Sequence, residues 1–397
     1  MYRKKALLII LYCFSHTIES QVLLKFDPDE VLLFAESQYE KAINQLKIEN
    51  GMPRNGHSDG SWNQKPIEDW TSGFFPGTLW YLYENSKNEK WLKAAQKWTA
   101  PLEPLKLFNK HHDIGFMVYC SYGNGYRLTQ NKNYKEIILQ TSNTLATRYR
   151  PTTKTILSWG DINEKNPKTH KVIIDNMMNL EMLEWASKNG GSKKFDKISR
   201  NHANTTLKNH FRKDFSSYHL VEYNPNTGKV QNKSTVQGFA DDSMWSRGQA
   251  WGIYGFIMMY RETAIKKYLK TSENLAKTYF ESLPIDNIAY WDFNAPNIPN
   301  EPRDASSAAI VASACLELFE LTEKKMYYNQ AISILNELAS DKYLAKTDNY
   351  SCVLLHSVGY KPINSEVNVN INYADYYFIE ALIRLKKLQI KMFKNKQ

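Results

Sequence analysis

Apolar residues recur at helical spacing over most of the chain, in stretches of roughly 15–20 residues, and few stretches show the strict alternation of a half-buried strand. This pattern predicts twelve helices, over 28–48, 70–86, 88–106, 114–130, 132–149, 175–188, 192–212, 244–263, 265–282, 304–322, 324–340 and 372–389. Short β-like pieces are expected at Tyr218–Glu222, Tyr290–Phe293 and Tyr350–Leu355. The helices alternate in character. Every second one is apolar behind a polar entrance: WTSGFFPG from Trp70, HHDIGF from His111, DNMMNL from Asp175, SMWSRGQAW from Ser243, RDASSAA from Arg303 and NYADYYF from Asn372. The helices between them carry Lys and Glu on one face, as in NEKWLKAAQKW from Asn88, KNYKEIILQ from Lys132, SKKFDKISR from Ser192 and EKKMYYNQ from Glu323. Six inner helices wrapped by six outer ones would produce this alternation. The expected fold is therefore all-α, an (α/α)6 six-hairpin barrel, with its cleft where the inner helices begin. No Pro/Gly/Ser-rich linker divides residues 21–397, which favours one domain over a two-domain helical array.

The stretch from Gln237 to Phe256 is the densest in hydrogen-bonding groups, and it runs directly into an apolar helix that Ser243 is placed to cap. Asp241, Asp242, Arg247 and Gln249 around Trp245 and Trp251 would give that helix a polar, aromatic mouth suited to carbohydrate. Composition agrees: the 397 residues are 42% hydrophobic and 13% aromatic, enough for a large core, and 25 Tyr with 10 Trp exceed what a core alone requires. Arg3, Lys4 and Lys5 precede an apolar run from Ala6 to Phe14, so residues 1–20 read as a secretory signal peptide, too short to serve as a membrane anchor. Tyr12 ahead of Cys13 is too bulky for lipid attachment, so an exported product, periplasmic first, is expected without a membrane anchor. Removing that segment lowers the net charge from +10 to +8. Scattered Lys and Arg on an exported chain argue against nucleic acid and for an acidic glycan. Cys120, Cys315 and Cys352 are too few and too far apart for a disulfide framework or a CxxC metal site.

Asp113 in HHDIGF and Asp175 in DNMMNL each stand just ahead of an apolar run. Singly, each would be read as a helix N-cap. Two inner-helix entrances facing one cleft would instead bring two carboxylates together, and an apolar setting separates their pKa values so that one can keep its proton. That is a requirement of general acid/base chemistry on a sugar. His112 and His219 are candidates for touching substrate or tuning a carboxylate. HExxH, GxGxxG, Walker and GxSxG patterns do not occur, and neither a metal nor a cofactor is expected.

WTSGFFPGTLW, HHDIGF, DNMMNLEMLEWAS, QGFADDSMWSRGQAWGIYGF, YWDF, RDASSAA and LLHSVGYKP, in this order, resemble glycoside hydrolase family 88, the unsaturated glucuronyl hydrolases. The resemblance implies the six-hairpin barrel and an unusual reaction. Polysaccharide lyases leave a 4,5-unsaturated uronic acid at the non-reducing end, and these enzymes hydrate its double bond until the sugar is released. By the resemblance, Asp175 is the general acid and then the base, and Asp113 stabilises charge and orients the substrate. His219, Gln237, Arg247 and Trp251 fall on positions that contact the unsaturated sugar, and Trp159, Trp70, Trp291 and His112 shape the pocket. Where the family usually shows Gly after the His of its late LLH motif this chain has Ser357, followed by Tyr360 and Lys361, which would meet a sulfate or carboxylate of the next sugar. The expected substrates are sulfated fragments of ulvan first, then chondroitin, hyaluronan or heparin. An unsaturated rhamnogalacturonyl hydrolase, an inverting glucanase on the same barrel and a non-catalytic glycan-binding protein are the rivals.

Overall fold

The computed structural model describes residues 22–57, 59–347 and 349–394; the signal-peptide reading of residues 1–20 lies outside them. Among the described residues the α-helices are α1 (Pro28–Gln45), α2 (Phe74–Ser86), α3 (Glu89–Thr99), α4 (Ile114–Val118), α5 (Asn124–Thr129), α6 (Lys132–Ala146), α7 (Leu180–Lys188), α8 (Lys194–Asn209), α9 (Ser246–Thr263), α10 (Lys266–Glu281), α11 (Ala305–Thr322), α12 (Lys325–Leu338) and α13 (Asn372–Lys394). The outer helices are amphipathic. In α10, Tyr268, Thr271, Ser272, Leu275, Ala276 and Tyr279 are buried, the i, i+3, i+4, i+7 stripe of a helix lying on a core. The inner helices are buried on all sides, as α9 is from Ser246 to Met259 and α11 from Ala305 to Leu318. The inner ring closes: α2 packs on α5, α4 on the 3-10 segment Ile174–Asn179, that segment on α9, α9 on α11, α11 on α13, and α13 back on α2. This is the (α/α)6 barrel, and one hydrophobic core runs through all of it.

The two ends of the barrel differ. At one end α2, α5, α9 and α11 stop at Lys87, Gln130, Ala264 and Glu323, each in the left-handed conformation that frees the chain to reverse. Two residues then suffice to reach the next outer helix. At the other end long connections lead from outer to inner helices. They carry the antiparallel pairs Met52–Gly56 with Trp62–Lys65 and Ser357–Tyr360 with Ser365–Val369, and the three-stranded sheet His170–Ile173, Leu220–Tyr223, Val230–Ser234. That end holds the inner N-termini and the site.

Several expected elements shift for identifiable reasons. The helix over 88–106 ends at Thr99 and continues as the 3-10 segment Ala100–Leu107, because Pro101 and Pro104 each remove an N–H donor. The helix over 114–130 is broken by the π turn Tyr119–Gly123 between α4 and α5. The helix over 175–188 opens as the 3-10 segment Ile174–Asn179. Ser243 does not cap α9, whose N-cap is Trp245; its hydroxyl donates to Asp292 Oδ2 at 2.6 Å instead. Of the β-like pieces, only the first matches a strand, Leu220–Tyr223. Tyr290–Phe293 and Tyr350–Leu355 form isolated bridges, through Tyr290, Asp292 and Leu354. Cys315 and Cys352 are buried free thiols and Cys120 is half-buried.

Candidate active site

Asp113 occupies the N-cap position of α4, yet its side chain caps nothing. Its carboxylate is held by its neighbours: His111 Nδ1 lies 3.2 Å from Oδ2 and His112 Nε2 lies 3.2 Å from Oδ1. His111 is anchored in turn by Nε2 on the Glu68 carbonyl at 3.0 Å. Burial works against the charged form of Asp113, but His112, His111 and the buried Arg148 outweigh it and hold the carboxyl below its usual range. Burial lowers His112 to about 4, so at neutral pH that ring acts as a dipole. Burial acts the same way on His111, but the hydrogen bond and charge of Asp113 outweigh it and raise its pKa.

Asp175 lies in the first turn of the 3-10 segment, and its side chain does not cap that helix either. Burial, reinforced by the negative charge of Asp113, raises it to about 7, with Arg247 and the Trp251 indole acting the other way. The two carboxyl groups come together because Gly115 lets α4 lie flush on the 3-10 segment. A Cβ there would fall 2.3 Å from Asn179 Oδ1 and 2.6 Å from Asn179 Cα. Asn179 locks the contact by accepting from Phe116 N at 2.9 Å.

His219 Nε2 lies 3.6 Å from Asp175 Oδ2. Its Nδ1 accepts the Gln237 backbone N–H at 3.3 Å, which places the proton of the neutral ring on Nε2, facing Asp175. Burial, with the nearby Arg247 charge, keeps that ring neutral, at about 3. Trp251 is fully buried between Phe116 and Tyr377. Besides His112 Nε2, which faces Asp113, five polar atoms here are buried without a hydrogen-bond partner: Asp175 Oδ2, His219 Nε2, Arg247 Nε, Trp251 Nε1 and Ser357 Oγ.

The remaining expected residues separate into wall and frame. Trp70 stacks near Tyr373, ring centroids 5.1 Å apart, and Trp159 is 37% exposed beside His111. Trp291 is buried, its indole N–H donating to Glu301 Oε2 at 2.8 Å, so it contributes shape rather than a free donor. Arg247 is largely engaged: Nη1 donates to Asp304 Oδ2 at 2.9 Å and to the Val358 carbonyl, and Nη2 to the Gly359 carbonyl at 2.6 Å. It anchors the strand that begins at Ser357 and leaves only Nε free. Gln237 Nε2 donates to the same Gly359 carbonyl at 3.3 Å. Lys361 is half-buried just beyond this strand. Gln249, expected at the mouth, is buried instead, bonding Ser217 N and the Phe215 and Leu275 carbonyls.

No family model matches the chain. An unsaturated glucuronyl hydrolase of Formosa agariphila is 45% identical over 361 residues, covering 90% of each chain. The chain belongs to the unsaturated glucuronyl hydrolases. A solved unsaturated glucuronyl hydrolase described as specific for heparin superposes with a TM-score of 0.87 at 40% identity, over 91% of this chain and 97% of that one. An unsaturated chondroitin disaccharide hydrolase of Streptococcus pneumoniae is 29% identical over 88% of this chain and 91% of its own. This hydrolase is accordingly a glycosidase.

Sequence reasoning passed over two residues of the hydrolase's site. His111 was quoted within HHDIGF without a role, although of two adjacent histidines only one can turn inward with Asp113 while the other holds its far side. Asp304, within RDASSAA, caps α11 through Ser306 N at 3.1 Å and also binds Arg247, so an ordinary cap signal concealed a buried ion pair. A cavity of about 690 Å³ opens towards the opposite end of the barrel, and Phe116 stands between it and Trp251. It contains neither Asp113 nor Asp175 and is not the active site.

Proposed function

We propose that the chain removes a 4,5-unsaturated uronic acid from the non-reducing end of lyase-generated, sulfated glycosaminoglycan fragments, heparin-type first. The observation that carries the reading is that three buried donors without hydrogen-bond partners, His219 Nε2, Arg247 Nε and Trp251 Nε1, stand by the Asp175 carboxyl, which burial raises to about 7. A sugar carrying hydroxyls and a carboxylate offers partners to such a set, and buried polar groups otherwise remain paired. The heparin-specific neighbour supports the order of substrates. The ulvan expectation rests on the basic charge and the Lys/Asn-rich composition, so ulvan fragments stand second.

Asp175 enters the reaction protonated and transfers its proton to C4 of the enol ether. The positive charge that develops at C5 and the ring oxygen is stabilised by the Asp113 carboxylate. Water then adds at C5, and its proton returns to Asp175. The hemiketal so formed opens, and the rearranged product releases the remaining sugar. His219 Nε2–H faces Asp175 Oδ2 throughout and steadies the carboxylate when it forms. In this reading Lys361, with Ser357 at the start of the preceding strand, meets a sulfate beyond the first sugar. Residues 1–20 direct export, most simply to the periplasm, where a lyase supplies the substrate; the N-terminal sequence of the mature protein tests this.

The reaction is tested by following loss of the enol-ether absorbance on unsaturated disaccharides from heparin, chondroitin, hyaluronan and ulvan, with Asp175→Asn alongside. Decay that is lost in the variant while binding persists is the expected result. No decay on any of the four overturns the reading and directs attention to pectin fragments or to simple binding.

A further inference from the structure

Arg148, just past the end of α6, is 2% exposed, and among the described residues no carboxylate lies within ion-pair distance of it. Backbone carbonyls satisfy it instead. Nε donates to Leu157 O at 2.8 Å, Nη2 to Gly160 O at 3.3 Å, and Nη1 to Asn109 O. Carbonyl dipoles fill the N–H directions of a guanidinium but do not cancel its charge.

The three carbonyls belong to the two segments that build the Asp113 side of the site. Asn109 lies two residues before His111. Leu157–Gly160 contains Ser158, whose carbonyl accepts His112 N at 2.9 Å, and Trp159, which bridges to His111. The arginine's own backbone closes the arrangement, Leu157 N donating to Arg148 O at 2.9 Å. The two carboxylates that feel the charge are Asp113 and Asp161. Asp161 is exposed and screened by solvent, so the effect is concentrated on Asp113. Asp113 also faces His111 and His112 from its own loop and Asp175 from the 3-10 segment. His219 and Arg247 face Asp175, and His170 faces Arg148.

We propose that Arg148 is a positioning residue for the hydration reaction: it bridges the Asn109 and Leu157–Gly160 segments beneath His111 and His112, and its charge keeps the shared proton on Asp175 rather than on Asp113. The proposal rests on the acid role of Asp175 and the anionic role of Asp113 given above. Arg148 acts together with the two imidazoles that lie 3.2 Å from Asp113, and so helps two buried carboxyl groups to hold opposite protonation states.

The test is the pH profile of kcat and KM from pH 3 to 9, on whichever disaccharide the wild type turns over, for Arg148→Gln and Arg148→Lys. Gln keeps some bonding to the carbonyls without the charge, and Lys keeps the charge without the three-way bridge. In Arg148→Gln the acidic limb moves to higher pH, with a loss of about two- to threefold in kcat on that limb and a smaller change in KM. In Arg148→Lys the limb stays where the wild type has it. A purely structural role would lower the melting temperature of Arg148→Gln and leave its limb unmoved, and that result overturns the proposal. If Arg148→Gln does not fold by circular dichroism, Arg148→Met, which also removes the charge, takes its place: a limb displaced to higher pH supports the proposal and an unmoved one overturns it. Absence of wild-type turnover on every disaccharide would remove the underlying reading, a failure distinct from an unmoved limb in an active enzyme.

Discussion

Asp113 and Asp175 are the same residue type in one cleft, and their surroundings alone separate them. Asp113 has two imidazoles at 3.2 Å, while Asp175 has burial and a like charge. A pKa of about 7 makes Asp175 the acid of the pair, so kcat/KM is expected to fall about tenfold per pH unit above about pH 7. A pH profile flat from 7 to 9 would rule Asp175 out as proton donor. The same proton affects stability. The folded protein holds it at pH values where an unfolded carboxyl, at 3.8, has lost it, so stability falls as pH rises from about 4 to about 7 and stays reduced above. Asp175→Asn lacks this penalty. Its melting temperature should match the wild type near pH 4 and exceed it at pH 8, by an amount reflecting roughly 2–4 kcal/mol. Calorimetry showing the same difference at both pH values would contradict the account. The identity of these two residues was legible from their place ahead of apolar runs. Their protonation was not, because Arg148 and Arg247 reach them from other segments of the chain.

At the scale of elements, the site depends on how closely the starts of two inner helices approach. Gly115 sets one contact and Gly255 another, where a Cβ would fall 2.5 Å from Met177 Cβ. Gly115→Ala forces α4 away from Asn179 and so separates Asp113 from Asp175. It should cost about 1–3 kcal/mol, read as a lowered urea midpoint, with kcat reduced more than KM raised. An unchanged kcat would mean that the spacing of the two carboxylates tolerates the displacement. The apolar periodicity located the helices well, because amphipathic and fully buried helices leave different patterns. It could not show that Asp175 sits in a 3-10 turn or that residues 119–123 form a π turn, since these are adjustments to neighbouring backbone. The strand pair around Ser357 was equally hidden. It is held by Arg247 and Asp304, residues that the chain presents 50 or more positions earlier.

The whole molecule places all the long connections at one end of a closed barrel and the left-handed, two-residue turns at the other. Its net charge of +10 favours anionic ligands in general, and this sets a prediction on association rather than chemistry. KM for a sulfated disaccharide should rise several-fold between 50 and 500 mM NaCl with kcat nearly unchanged, as charges separated by more than a Debye length are screened. An unsulfated disaccharide should respond less. Equal responses would indicate that the uronate carboxylate alone, through the site, accounts for the attraction.

The sequence by itself determined the barrel and the order of its helices, since the alternation of buried and half-solvated helices is a property of local hydrophobic spacing. It also determined which short motifs stand at the inner entrances. Only the tertiary structure decided what those motifs do. Closing the ring brings Asp113 against Asp175, engages Arg247 with backbone rather than leaving it free, turns Gln249 into a core bond, and surrounds Asp175 with buried donors that have no partner. Hydrophobic pattern acts between residues three or four apart on one helix, whereas charge and desolvation act between whatever the fold brings within a few ångströms.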